Sequence, residues 1–349
     1  MSAKTRVSDT VWFRTVAALL GIAIPAVWFW TVITPGEQAV MVRNALVARV
    51  GEPTDFSWTP EYTPSTFLTD RGPIPEVFAR VAADLASSGG QPPLEGFQLA
   101  VAVSSHLMGS PKRVGGPIQS DVASAYAGVT QAGRGYCADF TQVFTAIATA
   151  AGLPVRTWGI SFQAFGAGHA FNEVFDNQLH KWVLVDSFHS LYFVDPATLE
   201  PLSVLELHDR LLTLDGPAGS VAIQRIVDDR FPFRSEDIAL DYYRRGMTQL
   251  ALSWGSNVFD YERSALVRWS AAVSRHLERL VAIVVGQYPE LRIYPTGVSD
   301  RDVSALFRAR DTFIMAASAL GLALFVFGWT LSSIWLGPST LTRADRRDR

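Results

Sequence analysis

Two stretches of this chain are uncharged over about the thickness of a bilayer. Between them the spacing of apolar positions changes from helical to strand-like. Thr15–Thr34 (TVAALLGIAIPAVWFWTVIT) and Thr312–Gly337 (TFIMAASALGLALFVFGWTLSSIWLG) contain no Asp, Glu, Lys or Arg. A spanning helix needs roughly 20 apolar residues, so each stretch predicts a transmembrane helix. Pro25 is tolerated in a membrane helix, and Trp12, Trp28, Trp30, Trp329 and Trp335 suit the interfaces. Aromatics occupy the place where a small-residue cleavage site would follow a signal peptide, which argues for a retained anchor. The stretch 35–75, rich in Pro, Thr and acidic residues, reads as an irregular linker with one strand at Gln38–Val50. Helical spacing predicts helices over 75–86, 94–108 and 120–128. The clearest amphipathic pattern follows, with Phe140, Val143, Phe144, Ile147, Ala148 and Ala151 on one face and Gly152-Leu153-Pro154 as the stop. The period then falls to two in Val155–Ser161, Ala170–Phe175 and Trp182–Val185, with Asp176–Lys181 as a hairpin loop. Beyond Val204 the chain reads as mostly helical. There Leu266, Trp269, Val273, Leu277, Leu280 and Val284 form a stripe expected to face a core.

A helix leading into antiparallel strands is an α+β order. The predicted organisation is a cytoplasmic tail (1–14), a span (15–34), a linker (35–75), an α+β domain (76–200), a helical extension (201–311), a second span (312–337) and a second tail (338–349).

Composition supports the membrane reading, with 48% hydrophobic and 18% charged residues. The net charge of −3, with no basic excess, argues against a nucleic-acid partner. Lys4, Arg6 and Arg14 precede the first span, and Arg343, Arg346, Arg347 and Arg349 follow the second. Under the positive-inside rule both termini are cytoplasmic and the intervening chain is extracytoplasmic, although Arg308 and Arg310 pull the other way.

Cys137, the single cysteine, sits in Gly133-Arg134-Gly135-Tyr136-Cys137-Ala138-Asp139-Phe140, where a glycine-rich loop feeds the amphipathic helix. It has no disulfide partner in the chain. A helix N-terminus stabilises a thiolate, whereas the plainer reading of a lone cysteine is a small buried hydrophobe. His169 opens the strand GHAFNEVF and Asp186 ends WVLVD. If these strands pair, the two side chains lie near the same end and could be opposite one another. The helix start carrying Cys137 could pack there. Nucleophilic acyl transfer needs such a set: a thiolate, an imidazole that shuttles its proton, and a carboxylate that fixes the imidazole tautomer.

Residues 78–195 resemble the transglutaminase-like, papain-like cysteine family, in its membrane-anchored bacterial form. GRGYCADFTQVFTAIATAAGLPVRTWGI is similar to the family's Gly-x-Cys helix, GHAFNEVF to its His-Ala-Trp-x-Glu-Val strand, and WVLVDS to its Trp-x-x-x-Asp-Pro strand. The resemblance implies a papain-like core, with the Cys helix on an antiparallel sheet. It implies Cys137 as nucleophile, His169 as general base and then acid, and Asp186 as the orienting carboxylate. Phe171 and Ser187 depart from the usual Trp and Pro. Gln131 is a candidate oxyanion donor, with the Cys137 backbone N–H as the alternative. Tyr136, Trp158 and Phe171 are candidate cleft walls, though each could equally be a core aromatic. Asp139 suits the helix dipole. By period-two alternation Glu173 shares a face with Phe171 and Phe175, either buried and paired or facing solvent. His180 and His189, with His169 and Asp186, match no metal-ligand spacing, so neither metal nor cofactor is expected. The family's calcium sites have no counterpart.

The resulting expectation is an enzyme of the bacterial inner membrane with a periplasmic domain. It would cleave or transfer amide acyl groups through a Cys thioester, as a peptidase, deamidase or transglutaminase, in envelope or exopolysaccharide processing. Its expected partners are membrane lipid, a peptide, protein or other amide-bearing envelope substrate, and members of an envelope complex. The alternative is a catalytically silent domain that binds or scaffolds such a complex.

Overall fold

In a computed structural model of the chain, the described residues are 16, 19–31, 36–88, 92–109, 113–118, 120–212 and 221–335. They fall into two units, one drawn from 1–45 and 304–349, the other spanning 46–303. In the first, α1 (Leu19–Thr31) meets α12 (Asp300–Trp335) where the rings of Phe29 and Phe313 lie 5.6 Å apart. Among the described residues, α12 is by itself long and apolar enough to cross a membrane. The rest of the expected first span, and both expected tails, lie outside the described residues.

The second unit begins with the end of α2 (Gly36–Val47) and β1 (Ala48–Val50). The strand expected over Gln38–Val50 is therefore helix for most of its length. Ala, Glu, Gln, Met and Leu outweigh the β-branched residues there. The stretch after it is no passive linker. Phe56, Trp58 and Phe67 are buried core residues, and Trp58 O accepts a 2.8 Å hydrogen bond from Trp182 Nε1.

Four helices follow: α3 (Glu76–Ser87), α4 (Gly96–Met108), α5 (Val122–Ala132) and α6 (Cys137–Ala150). Then come β2 (Val155–Ser161), β3 (Gly168–Asp176) and β4 (Lys181–Val185). The remaining elements are β5 (Leu191–Val194), α7 (Val204–Leu212), β6 (Ala222–Arg225) and α8 (Glu236–Met247), and then β7 (Leu250–Ser253), α9 (Val258–Arg263), α10 (Ala265–Val273), α11 (Arg275–Val284) and β8 (Leu291–Ile293).

A six-stranded sheet runs β1-β8-β7-β2-β3-β4, and β5 pairs with β6 separately. The β1–β8 pair is parallel, and the other pairs are antiparallel. The region read as a helical extension thus supplies β7 and β8 to the sheet beside β2. Strands of three or four residues are too short to show a period, which is why sequence reading missed them.

The sheet's alternation sorts two cores. Val174 and Val185 join Phe140, Phe144 and Ile147 of α6 on one face. On the other, Phe171 and Trp158 join Phe193 of β5 and Tyr243 of α8. The helical stripe of α10 and α11 departs from expectation: Trp269 is 67% and Val284 85% exposed, and Leu266 and Val273 are also exposed. The buried face of α10 carries Val267 and Ser270 instead. Periodicity locates an apolar face without saying what covers it.

Candidate active site

α6 starts where it does because the loop before it is built from glycine. Gly133 ends α5 in the left-handed region. Gly135 has φ 118°, and a Cβ there would meet Val129, Asp139 and Phe140 at 3.2–3.3 Å. Asp139 then closes the first turn, its Oδ2 accepting from Tyr136 N at 2.8 Å. This leaves Cys137 at the first helical position and partly exposed. Thr141, one turn on, ties the helix to β3: its hydroxyl lies 2.7 Å from Cys137 O and 3.2 Å from Ala170 O. Ala170 adjoins His169, so the Cys137 end of α6 and the His169 imidazole are held at one end of the sheet. Close strand approach requires glycine at 168, where a Cβ would lie 2.1 Å from Ile160 O.

The β3–β4 register pairs Asn172 with Val185, which places Phe171, not His169, across from Asp186. His169 is the diagonal neighbour two residues along the same face. Its Nε2 lies 2.5 Å from Asp186 Oδ2, and both side chains are buried. Burial alone would raise the Asp186 carboxyl, but His169 and His189 outweigh it and hold it well below the ordinary carboxylate range. An ionised carboxylate only accepts. Nε2 therefore carries the proton, leaving Nδ1 without one.

Two residues that sequence reading did not assign complete this network. Tyr243 of α8 donates its hydroxyl hydrogen to Asp186 Oδ2. His189 donates its backbone N–H to Asp186 Oδ1 at 2.9 Å, and its Nδ1 lies 2.9 Å from Tyr243 Oη and 3.2 Å from Asp186 Oδ2. Both of those neighbours present acceptors, so His189 Nδ1 also bears hydrogen. The His169 and His189 rings stack at 4.1 Å. Burial, followed by the Asp186 charge, pushes the Tyr243 phenol far up, so it stays a donor. Tyr243 lies 57 positions beyond Asp186, in a helix with no motif to mark it. His189 was visible only as a histidine near the hairpin.

His169, Asp186 and His189 also form a potential metal-ligand group, with donor atoms within 4.8 Å of one another. Tetrahedral zinc with bonds near 2.0–2.1 Å keeps its ligand atoms about 3.3 Å apart. Here Asp186 Oδ2 touches His169 Nε2 at 2.5 Å and also accepts from Tyr243. The arrangement is that of a proton network, not a cage.

Burial pushes the Cys137 thiol above its ordinary range, with the Asp186 and Asp139 charges adding to this. The Ala170 and Ala138 N–H groups at the sulfur only partly offset it. The depression expected from the helix dipole is thus overridden. Burial also draws His169 below the ordinary imidazole range, despite Asp186. The resting pair is thiol and neutral imidazole. Alkylation of Cys137 by iodoacetamide should therefore keep rising past the free-thiol range of about pH 8.5. A rate plateau at about pH 5–7 would instead reveal a thiolate–imidazolium pair.

The other sequence candidates separate. Tyr136, 50% exposed, immediately precedes Cys137. Trp158 is fully buried, its Nε1 donating to Glu173 Oε2 at 2.7 Å. Phe171 is buried with its ring 5.8 Å from that of His169. Trp158 and Phe171 therefore back the site from the core and do not wall a cleft, because the face of β2 and β3 that carries them is covered by α8. Gln131 is exposed on the last turn of α5, separated from Cys137 by the glycine loop. Glu173 is buried and paired with Arg156 at 2.6 Å. His180 is exposed in the hairpin turn with φ 51°.

No curated protein and no solved structure matches the chain. A family comparison does match, over 97–187, a segment that begins in α4 and ends one residue past Asp186, enclosing the helix start and both strands just described. Residues 97–187 match the transglutaminase-like superfamily.

Proposed function

We propose that this protein is a membrane-anchored, extracytoplasmic cysteine enzyme that cleaves or transfers amide acyl groups through a thioester on Cys137. The observation that carries this reading is the buried His169–Asp186 contact of 2.5 Å beside the helix start that presents the chain's single thiol. His169 Nδ1 takes the Cys137 proton as sulfur attacks the amide carbonyl. The oxyanion of the tetrahedral intermediate is met by the Cys137 backbone N–H. The imidazolium returns its proton to the leaving amine as the C–N bond breaks, which leaves the thioester. Water then gives the free acid, or a second amine gives a new amide; His169 deprotonates either one and reprotonates sulfur. Asp186 keeps Nε2 protonated throughout.

Support for anchoring comes from α12 and from the uncharged stretch at 15–34. Support for an extracytoplasmic domain comes from the basic residues at both termini. Such placement suits a substrate in the bacterial envelope or its exopolysaccharide machinery.

The test is to incubate the full-length protein with cell-envelope extract, quench in acid and read the mass of Cys137-containing peptides. A mass added at Cys137, and lost on treatment with hydroxylamine, is the expected result. If no adduct forms and Cys137→Ser still supports the cellular function, the domain binds without turnover.

A further inference from the structure

We propose that Arg113 is an anion subsite that receives a substrate carboxylate next to the amide attacked by Cys137. The inference deepens the proposed function and rests on the reading of Cys137 as nucleophile. Arg113 precedes α5 and is half-buried. Its guanidinium carbon lies 3.7 Å from the centre of the Phe188 ring and 5.2 Å from that of Phe140. Both rings lie on segments that carry the site. Phe140 is in the first turn of α6, and Phe188 follows Asp186 by two residues, with its ring 5.8 Å from that of His169. One N–H, on Nη1, donates to Phe188 O at 2.8 Å. Among the described residues this is its only hydrogen bond, and it forms no ion pair.

A guanidinium has five N–H donors in a planar fork that fits a carboxylate. Stacking on Phe188 holds the plane of that fork, and a single carbonyl occupies one edge. Surface arginines elsewhere in this fold behave differently: Arg210 and Arg245 reach Asp195 and Asp241. Arg113 instead keeps its charge against aromatic rings, where desolvation is the main influence on it and both Cys137 and Asp186 feel its field. Arg230 adds positive charge to the same region. A half-buried cation with most of its donors unused, within the electrostatic reach of the reacting thiol, suits a ligand that brings the missing anion. The substrate class that follows is an amide flanked by a free carboxylate, as at a peptide's C-terminal residue or a side-chain-linked glutamyl bond.

The experiment compares two alkylating agents on the full-length protein in detergent. Iodoacetate and iodoacetamide have the same reacting carbon, lose iodide to the same thiolate and differ in carboxylate versus amide. Because Cys137 is the only cysteine, intact mass reports its modification directly. The quantity read is the ratio of iodoacetate to iodoacetamide rates, divided by that ratio for a small free thiol. Any effect of Arg113 on thiolate content cancels in it. In the natural protein the normalised ratio should be about ten, equivalent to about 1.4 kcal/mol. It should fall towards one in Arg113→Gln, stay intermediate in Arg113→Lys, and shrink in the natural protein as salt rises to about 1 M. A ratio near one in the natural protein at low salt, or a high ratio that survives Arg113→Gln, overturns the subsite while leaving the nucleophile intact. Failure of both reagents to modify Cys137 overturns the nucleophile reading and this inference with it. Should Arg113→Gln not fold, the salt series on the natural protein still decides.

Discussion

Asp186→Asn should lower the rate of Cys137 acylation by about 10⁴-fold, the scale seen when a triad carboxylate loses its charge. The donors around this side chain make the effect unavoidable. Oδ2 faces His169 Nε2, the Tyr243 hydroxyl and His189 Nδ1, while Oδ1 faces the His189 backbone N–H. An amide has one accepting and one donating end, so either orientation sets a donor against a donor. With its NH₂ towards His169, it forces the imidazole proton to Nδ1, where it cannot take the thiol's proton. With its oxygen there, it collides with the His189 backbone N–H and loosens the loop that follows β4. Tyr243→Phe separates charge from scaffolding, since the ring stays packed on Phe193 at 4.8 Å and only the donor is lost. A hydrogen bond to a charged group contributes about 1.5–3 kcal/mol, so acylation should fall by about ten- to a hundredfold with the tautomer preserved. The measurement is the second-order rate of labelling by an acylating probe, with Cys137→Ala as the blank. If Asp186→Asn labels at the natural rate, Asp186 does not orient His169.

Much of the site's scaffold was legible because its signals are local. The glycine-rich loop ahead of Cys137 and the stop at Gly152 bracket α6, and the stripe from Phe140 to Ala151 marks its core-facing side. The alternation in 155–161 and 182–185 gives β2 and β4 almost residue for residue. Tyr243, Arg113 and the sheet's far half were not legible. β1, β7 and β8 are too short to carry a period, and the β1–β8 pairing joins residues about 240 positions apart, as in Ala48 with Leu291. Phe56, Trp58 and Phe67 come from a stretch with turn-like composition, and it is the sheet they cover that decides their burial. The thiol's acidity failed for a related reason. A helix N-terminus is a local feature, whereas the burial and the Asp186 charge that overrule it arrive from elsewhere in the chain.

The same dependence on distant partners makes Arg156→Met the most damaging structural change expected away from the site. Arg156 and Glu173 face each other across β2 and β3, and the pair lies wholly within the core, with Nε 2.6 Å from Oε2. Each charge has further partners. Arg156 Nη1 donates to Phe56 O at 2.9 Å, and the guanidinium carbon lies 4.2 Å from the centre of the Trp182 ring. Glu173 accepts from Trp158 Nε1 at 2.7 Å and from Val204 N at 2.8 Å. This one ion pair thus joins the segment after β1, the central strands and the start of α7. Methionine keeps most of the bulk and leaves Glu173 buried without its cation, a loss of about 3–5 kcal/mol. Arg156→Met with Glu173→Gln should recover part of it, because the uncompensated charge is gone while an acceptor for Val204 or Trp158 remains. Urea unfolding of the full-length protein in detergent, followed by the fluorescence of the buried tryptophans, reads both variants. Equal stability of the single and double variants would show that packing around the guanidinium, and not the stranded carboxylate, sets the cost.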